Sequence, residues 1–203
     1  NSLQMKVDRR FARGFNALIS YTWSKSIDTG SSGYGNENGP GGSSAVQDLK
    51  HPENDRSVSS YDIPHFFTAS VNWEPPVGKG KALLSHGPAS YILGNWQTNL
   101  LATFRSGQPY NLQVSGDVGN IGQFNSGYNY ARPNLIGDPH VDNPTADRWY
   151  NPAAFSVPQF SFGNFGRNVL RSSHVSNIDS SVFKVFPVRE LGAAELRVET
   201  FNI

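Results

Sequence analysis

The chain has 203 residues, with 17 Lys and Arg against 16 Asp and Glu and a formal net charge of +1. That balance excludes the concentrated basic surface a nucleic-acid partner needs. The absence of Cys excludes disulfide scaffolds, thiolate zinc sites and thiol nucleophiles. Charged residues make up 16%, where a soluble domain carries roughly 25%, and 20 Gly, 13 Pro and 12% aromatics mix turn formers with strand formers. No apolar run approaches the roughly 20 residues of a membrane helix, so any membrane passage would run through strands.

A strand with lipid on one side and water on the other alternates apolar and polar residues, because successive side chains point to opposite faces. The first strand, about 2–11, sets Leu3, Met5 and Val7 against Gln4, Lys6, Asp8 and Arg10. A short turn at Ala12-Arg13-Gly14 leads into the second, about 14–28, with Phe15, Ala17, Ile19, Tyr21 and Trp23 against Asn16, Ser20, Thr22 and Ser24; Leu18 is out of phase. The third, about 65–75, sets Phe67, Ala69, Val71 and Trp73 against Thr68, Ser70, Asn72 and Glu74, with Phe66 the exception. The fourth, about 95–115, sets Trp96, Leu100, Ala102 and Phe104 against Gln97, Asn99, Thr103 and Arg105, with Thr98 and Leu101 out of phase. The fifth and sixth, about 177–187 and 194–203, set Ile178, Val182 and Phe186 against Asp179 and Ser181, then Leu196 and Val198 against Glu195, Arg197 and Glu199.

The connections alternate in length. Those at Phe11 to Gly14 and Val188 to Ala194 are short, residues 76–95 form a middle one, and about 29–64 and 116–176 are long. Bacterial barrels have short periplasmic turns and long extracellular loops, so the order predicts an all-β, antiparallel, up-and-down transmembrane barrel segment of about six long strands with two long outer loops. Phe15, Trp73, Trp96 and Phe186 then fall near the periplasmic edge, and Tyr21, Trp23, Phe67 and Phe104 near the outer edge, as aromatic girdles require. On this reading Phe15, Ile19, Tyr21, Trp23, Phe67, Val71, Trp73, Trp96, Leu100, Phe104 and Val198 face lipid. Lys6, Asp8, Arg105, Asp179, Glu195, Arg197 and Glu199 face a hydrated lumen, where charges can pair across strands. Period-2 alternation also describes a soluble β-sandwich, a carbohydrate-binding or adhesion module, and the pattern alone leaves that open. Loops of this length and charges deep within strands count against it.

No catalytic constellation emerges, so the chain is read as no enzyme. His65 and Asp62 could join a serine on paper, but there is no Gly-x-Ser-x-Gly elbow. Asp138-Pro139-His140-Val141-Asp142-Asn143 lacks the full calcium-loop pattern and reads as Asx turns. Gly30 to Gly42, with Tyr34, Asn36 and Asn38, lacks the Lys-Ser/Thr of a phosphate loop. No metal or cofactor is therefore expected. Exposed loop aromatics, Tyr34, Tyr128, Tyr130 and Trp149, are candidates to stack on a sugar or peptide, or to pack the loops onto one another.

Arg9-Arg10-Phe11-Ala12-Arg13-Gly14-Phe15 followed by Ser20-Tyr21-Thr22-Trp23-Ser24-Lys25-Ser26-Ile27-Asp28 resembles the late barrel strands of TonB-dependent outer-membrane receptors, most of all the Oar-like, carboxypeptidase-regulatory-domain-containing group abundant in Acidobacteria. The resemblance continues through Tyr61-Asp62-Ile63-Pro64-His65-Phe66, Trp73-Glu74-Pro75-Pro76-Val77-Gly78-Lys79-Gly80, Gly94-Asn95-Trp96-Gln97 and Ser106-Gly107-Gln108-Pro109-Tyr110. It resumes at Arg132-Pro133-Asn134-Leu135-Ile136-Gly137-Asp138-Pro139, Trp149-Tyr150-Asn151-Pro152-Ala153-Ala154-Phe155, Phe162-Gly163-Asn164-Phe165-Gly166-Arg167-Asn168 and Asp179-Ser180-Ser181-Val182-Phe183-Lys184. It implies a bacterial outer-membrane barrel of about 22 strands with a plugged lumen. Such a receptor imports a scarce nutrient, a carbohydrate, peptide or metal chelate, on energy relayed by TonB. Outer-membrane lipid, the transported small ligand, the plug and TonB are the implied partners, the last two outside these residues. The chain starts within an alternating segment and stops at Phe201-Asn202-Ile203, where relatives continue with a loop and a closing strand, so a partial barrel is expected.

Overall fold

The computed structural model describes residues 1–31, 46–48, 50–120, 131–188 and 192–203, with the backbone alone at Pro187. Tyr34, Tyr128 and Tyr130, and most of the Gly30 to Gly42 run, lie outside the described residues.

The alternating segments form β1 (Ser2–Ala12), β2 (Phe15–Ser24), β3 (His65–Trp73), β4 (Trp96–Arg105), β5 (Val175–Val188) and β6 (Gly192–Thr200). They pair in chain order as one six-stranded antiparallel meander, with β1 and β6 at the edges. β1 and β2 meet through a two-residue turn in which Arg13 (φ 54°) and Gly14 (φ 77°) both take left-handed backbone, as the primed hairpin turns require. Gly14 is further constrained because a Cβ there would lie 2.6 Å from the Glu74 carbonyl oxygen. Glu74 N–H donates to the Gly14 carbonyl, which extends the β2–β3 ladder past the strand end.

Two strands stop short of their expected bounds. β2 ends at Ser24, whose N–H donates to Pro64 O at 3.0 Å, and Ile27–Asp28 pair instead with Ser57–Val58. β4 ends at Arg105, and beyond it Pro109, which has no N–H to give a central ladder, pairs with Arg171 while Tyr110 pairs with Leu170. The connections thus capture the ends of the expected strands.

The chain divides into two compact units: the meander with the connection between β3 and β4, and a loop unit of Asn1, Lys25–Asp62 and Gly107–Ser173. The soluble sandwich is not the fold. Apart from the meander, the ladders among the described residues are of two-residue strands, too short to supply a second layer. Within the meander, Ala17 and Ala102 are buried, whereas Leu3, Met5, Val7, Trp23, Trp73 and Val198 stay exposed. A sheet closed against a core would hide such residues.

Candidate functional site: a two-faced wall and a loop cavity

Residues directly opposite in a ladder share a face. Phe15 faces Trp73, Ala17 faces Val71, Ile19 faces Ala69 and Tyr21 faces Phe67. The row continues from Phe67 to Phe104 and from Val71 to Leu100, then through Thr98 to Val182 and on to Val198. Trp23 and Trp96 join the same face through Leu3 and Lys184. The register therefore collects on one face every residue that the alternation assigns to lipid. Its aromatic residues form two bands. Phe15, Trp73, Trp96 and Phe186 lie at the end with the short connections, and Tyr21, Trp23, Phe67 and Phe104 at the end from which the long ones leave.

The opposite face carries Lys6, Asp8, Arg105, Asp179, Glu195, Arg197 and Glu199, the residues assigned to the lumen. Arg197 Nε donates to Glu195 at 2.6 Å and its Nη1 to Glu199 at 3.3 Å, while its guanidinium lies 4.8 Å from the Phe183 ring centre. Asn72 donates to Asn16 across the β2–β3 ladder at 2.7 Å. Leu18, Phe66 and Leu101 interrupt this face as their phase predicts. On the apolar face His65, Arg9 and Lys184 are partnered. His65 Nδ1 sits 2.7 Å from the Tyr21 hydroxyl, Arg9 covers Phe15 at 5.1 Å, and Lys184 is buried against backbone carbonyls.

The loop unit has its own core of Tyr110, Phe165 and Leu170, with Leu112, Trp149, Tyr150 and Phe155 packed on it. Phe155 meets Phe165 edge-on at 5.0 Å and Tyr150 at 5.9 Å. Three Asp–Arg pairs tie together segments far apart in sequence: Asp28 with Arg167, Asp55 with Arg132, and Asp62 with Arg171. Arg167 also donates to Asp55 O at 2.9 Å and to Ser31 Oγ at 3.0 Å. Arg132 lies 2.5 Å from Asp55 Oδ1 without the alignment of a hydrogen bond, an ionic contact, and donates through Nε to Phe165 O at 2.8 Å. Burial works to raise the Asp28 pKa, but hydrogen bonds from Ser59, Ser31 and Arg167, with the Arg167 charge, bring it below the ordinary value. Sequence reasoning met Asp62 as a catalytic option and within the resemblance, and Arg132 and Arg167 only within the resemblance. One sequence contains no signal of which Asp meets which Arg across more than 70 residues.

Asp62 accepts from Arg171 and from Ser26 N–H, so its carboxylate is engaged in holding the loops. Asp138 accepts from His140 N–H at 2.9 Å in an exposed Asx turn, and that backbone bond, then the His140 side chain, lowers its pKa. A cavity of about 680 Å³ opens in the loop unit beside Tyr110, Leu112, Trp149, Tyr150, Ser172 and Ser173. Trp149, the one described member of the four loop aromatics, donates its indole N–H to Arg171 O at 2.6 Å, which fixes the ring in the cavity wall. Tyr110 is 8% exposed, and among the described residues its hydroxyl has no hydrogen-bond partner. Burial, then the neighbouring Tyr150, pushes its pKa up to about 12, so it stays a neutral donor.

All of residues 1–203 match the model of a family described as outer membrane beta barrel domain. The chain belongs to this family. No curated protein and no solved structure matches it. As an outer membrane β-barrel protein it resides in the bacterial outer membrane, and its wall stands in a lipid environment. Since open sheet edges cannot persist in hydrocarbon, the meander is a sector of wall whose edge strands, β1 and β6, require neighbours.

Proposed function

We propose that this wall sector belongs to a TonB-dependent receptor that imports a scarce nutrient, with the Phe15–Trp73 face toward lipid and the Arg197 face toward the plugged lumen. The resemblance to Oar-like receptors runs in order along nearly the whole chain. The observation that carries the reading is the cavity in the loop unit. A barrel that only conducts has no need of long connections folded around buried ion pairs, whereas a receptor needs a preorganised pocket. Among the described residues no charged side chain lines the cavity. Among carbohydrate, peptide and metal chelate, this favours an uncharged ligand with one apolar face, as a pyranose ring has, stacked on Trp149.

The experiment is uptake by cells carrying the full receptor, with and without TonB. Saturable import of a neutral oligosaccharide that disappears in the TonB-deficient strain supports the proposal, and import indifferent to TonB overturns it. Trp149→Ala should reduce affinity about tenfold or more, because aromatic anchors in desolvated pockets carry upwards of 1–2 kcal/mol. Tyr110→Phe separates binding from packing. Removing a buried, unpartnered hydroxyl should leave the loop unit as stable or more so, while ligand affinity falls if that hydroxyl donates to the ligand.

A further inference from the structure

The connection between β3 and β4, residues 74–95, is folded rather than slack. Gly78 N–H donates to Leu83 O, Leu83 N–H to Pro76 O and Asn95 N–H to Val77 O, each at 2.9 Å. Gly78 (φ 119°) packs so tightly on Gly94 that a Cβ would lie 2.7 Å from the Gly94 Cα. From this base a short helix, α1 (Pro88–Leu93), starts with Pro88 in its first turn, where no N–H is needed. Its buried member is Ser90, while Tyr91, Ile92 and Leu93 are 66, 70 and 57% exposed. Leu83 and Leu84 just before it are exposed as well.

What holds α1 comes from the apolar face of the meander. Lys184 stands on that face opposite Trp96 and Leu196, is 4% exposed, and donates its ammonium to the carbonyls of Tyr91 and Ile92 at the C-terminal end of α1. That is the end where a cation is favoured. Trp96 adds its indole N–H to Ile92 O at 3.1 Å, and the Lys184 ammonium lies 5.7 Å from the Trp96 ring centre and 5.0 Å from that of Phe186. A lysine on a lipid-facing surface must find partners, and here its partners are carbonyls of α1. The helix is thereby stapled beside the aromatic band of Phe15, Trp73, Trp96 and Phe186, continuous with the face assigned to lipid. Between Pro75 and Asn95 there is no carboxylate, and Lys79, Lys81 and His86 are the ionisable side chains besides Tyr91. Lys81 pairs with Glu74 at 3.3 Å.

We infer that this connection is a membrane-interface element. Leu83, Leu84, Tyr91, Ile92 and Leu93 enter the boundary between headgroups and acyl chains of the leaflet on the short-connection side, with Lys79 at anionic phospholipid headgroups. Apolar side chains with basic neighbours are the composition of interfacial helices, which sit about 5–10 Å into that boundary. The inference rests on the lipid-facing assignment made above.

These 203 residues hold no Cys, so a single thiol introduced among them, in the full receptor freed of any other Cys, reports one position. Ile92→Cys and, at mid-strand on the apolar face, Val71→Cys are each labelled with an environment-sensitive fluorophore. The proteins are reconstituted in phosphatidylethanolamine–phosphatidylglycerol vesicles carrying nitroxide lipids at shallow or deep acyl positions. The expected result is loss of emission from position 92 mainly with the shallow nitroxide and from position 71 mainly with the deep one. Position 71 quenched while position 92 is untouched by either nitroxide, and open to aqueous iodide, overturns the interfacial element alone. Position 71 unquenched overturns the lipid-facing assignment itself, and the inference with it.

Discussion

Asp55 and Arg132 show what a single pair contributes to the loop unit, since their side chains are 1% and 6% exposed and their segments are otherwise unrelated in sequence. Two charges that desolvated contribute little to net stability, but removing one strands the other. Asp55→Ala should therefore destabilise the loop unit by about 3–5 kcal/mol, read as faster amide hydrogen exchange across residues 131–173 while the strands of the meander keep their protection. Asp28 gives the pH counterpart. Its folded pKa lies below the ordinary value, so the carboxylate contributes stability above the unfolded value, near pH 4, and that contribution is lost as pH falls through the lowered folded value. Protection factors in the loop unit, which remove the intrinsic pH dependence of amide exchange, should be constant from neutral pH down to the ordinary carboxylate range and fall below it. In Asp28→Asn the part of that fall due to this residue should vanish.

At the scale of elements, alternation made the strands legible because a wall with two different solvents imposes a period of two on each strand. Leu18, Phe66 and Leu101, the residues out of phase, still sit where the phase puts them, on the polar face. The strand ends were less legible. The second strand is expected to run to about residue 28, but Ile27 and Asp28 find partners in Ser57 and Val58, and a pattern read along one segment cannot see a competing ladder. The loop unit was the least legible part, since its Pro, Gly and Asn read as ordinary loop composition while its order comes from long-range ion pairs and a small aromatic core. If the apolar face meets lipid, Val71→Arg at mid-strand should cost about 2–4 kcal/mol, and the same change near a strand end about 0–1. Equilibrium unfolding in lipid vesicles reads the difference. Replacement of a polar-face residue such as Thr68 by Arg should cost far less.

For the whole molecule, the described residues place six strands in the wall, fewer than the eight of the smallest outer-membrane barrels. Closure in the membrane would therefore require partners for β1 and β6 beyond these six strands. The measurement that tests the two-faced wall most directly is a spin-label scan of β2, one introduced Cys at a time from Phe15 to Ser24, in lipid bilayers. Collision with oxygen, which concentrates in hydrocarbon, is compared with collision with a polar nickel chelate. Labels at positions 15, 17, 19 and 21 should favour oxygen and those at 16, 20 and 22 the nickel chelate, with a period of two. Labels on the Phe15 face shielded from both reagents, as in the core of a closed sandwich, would contradict it.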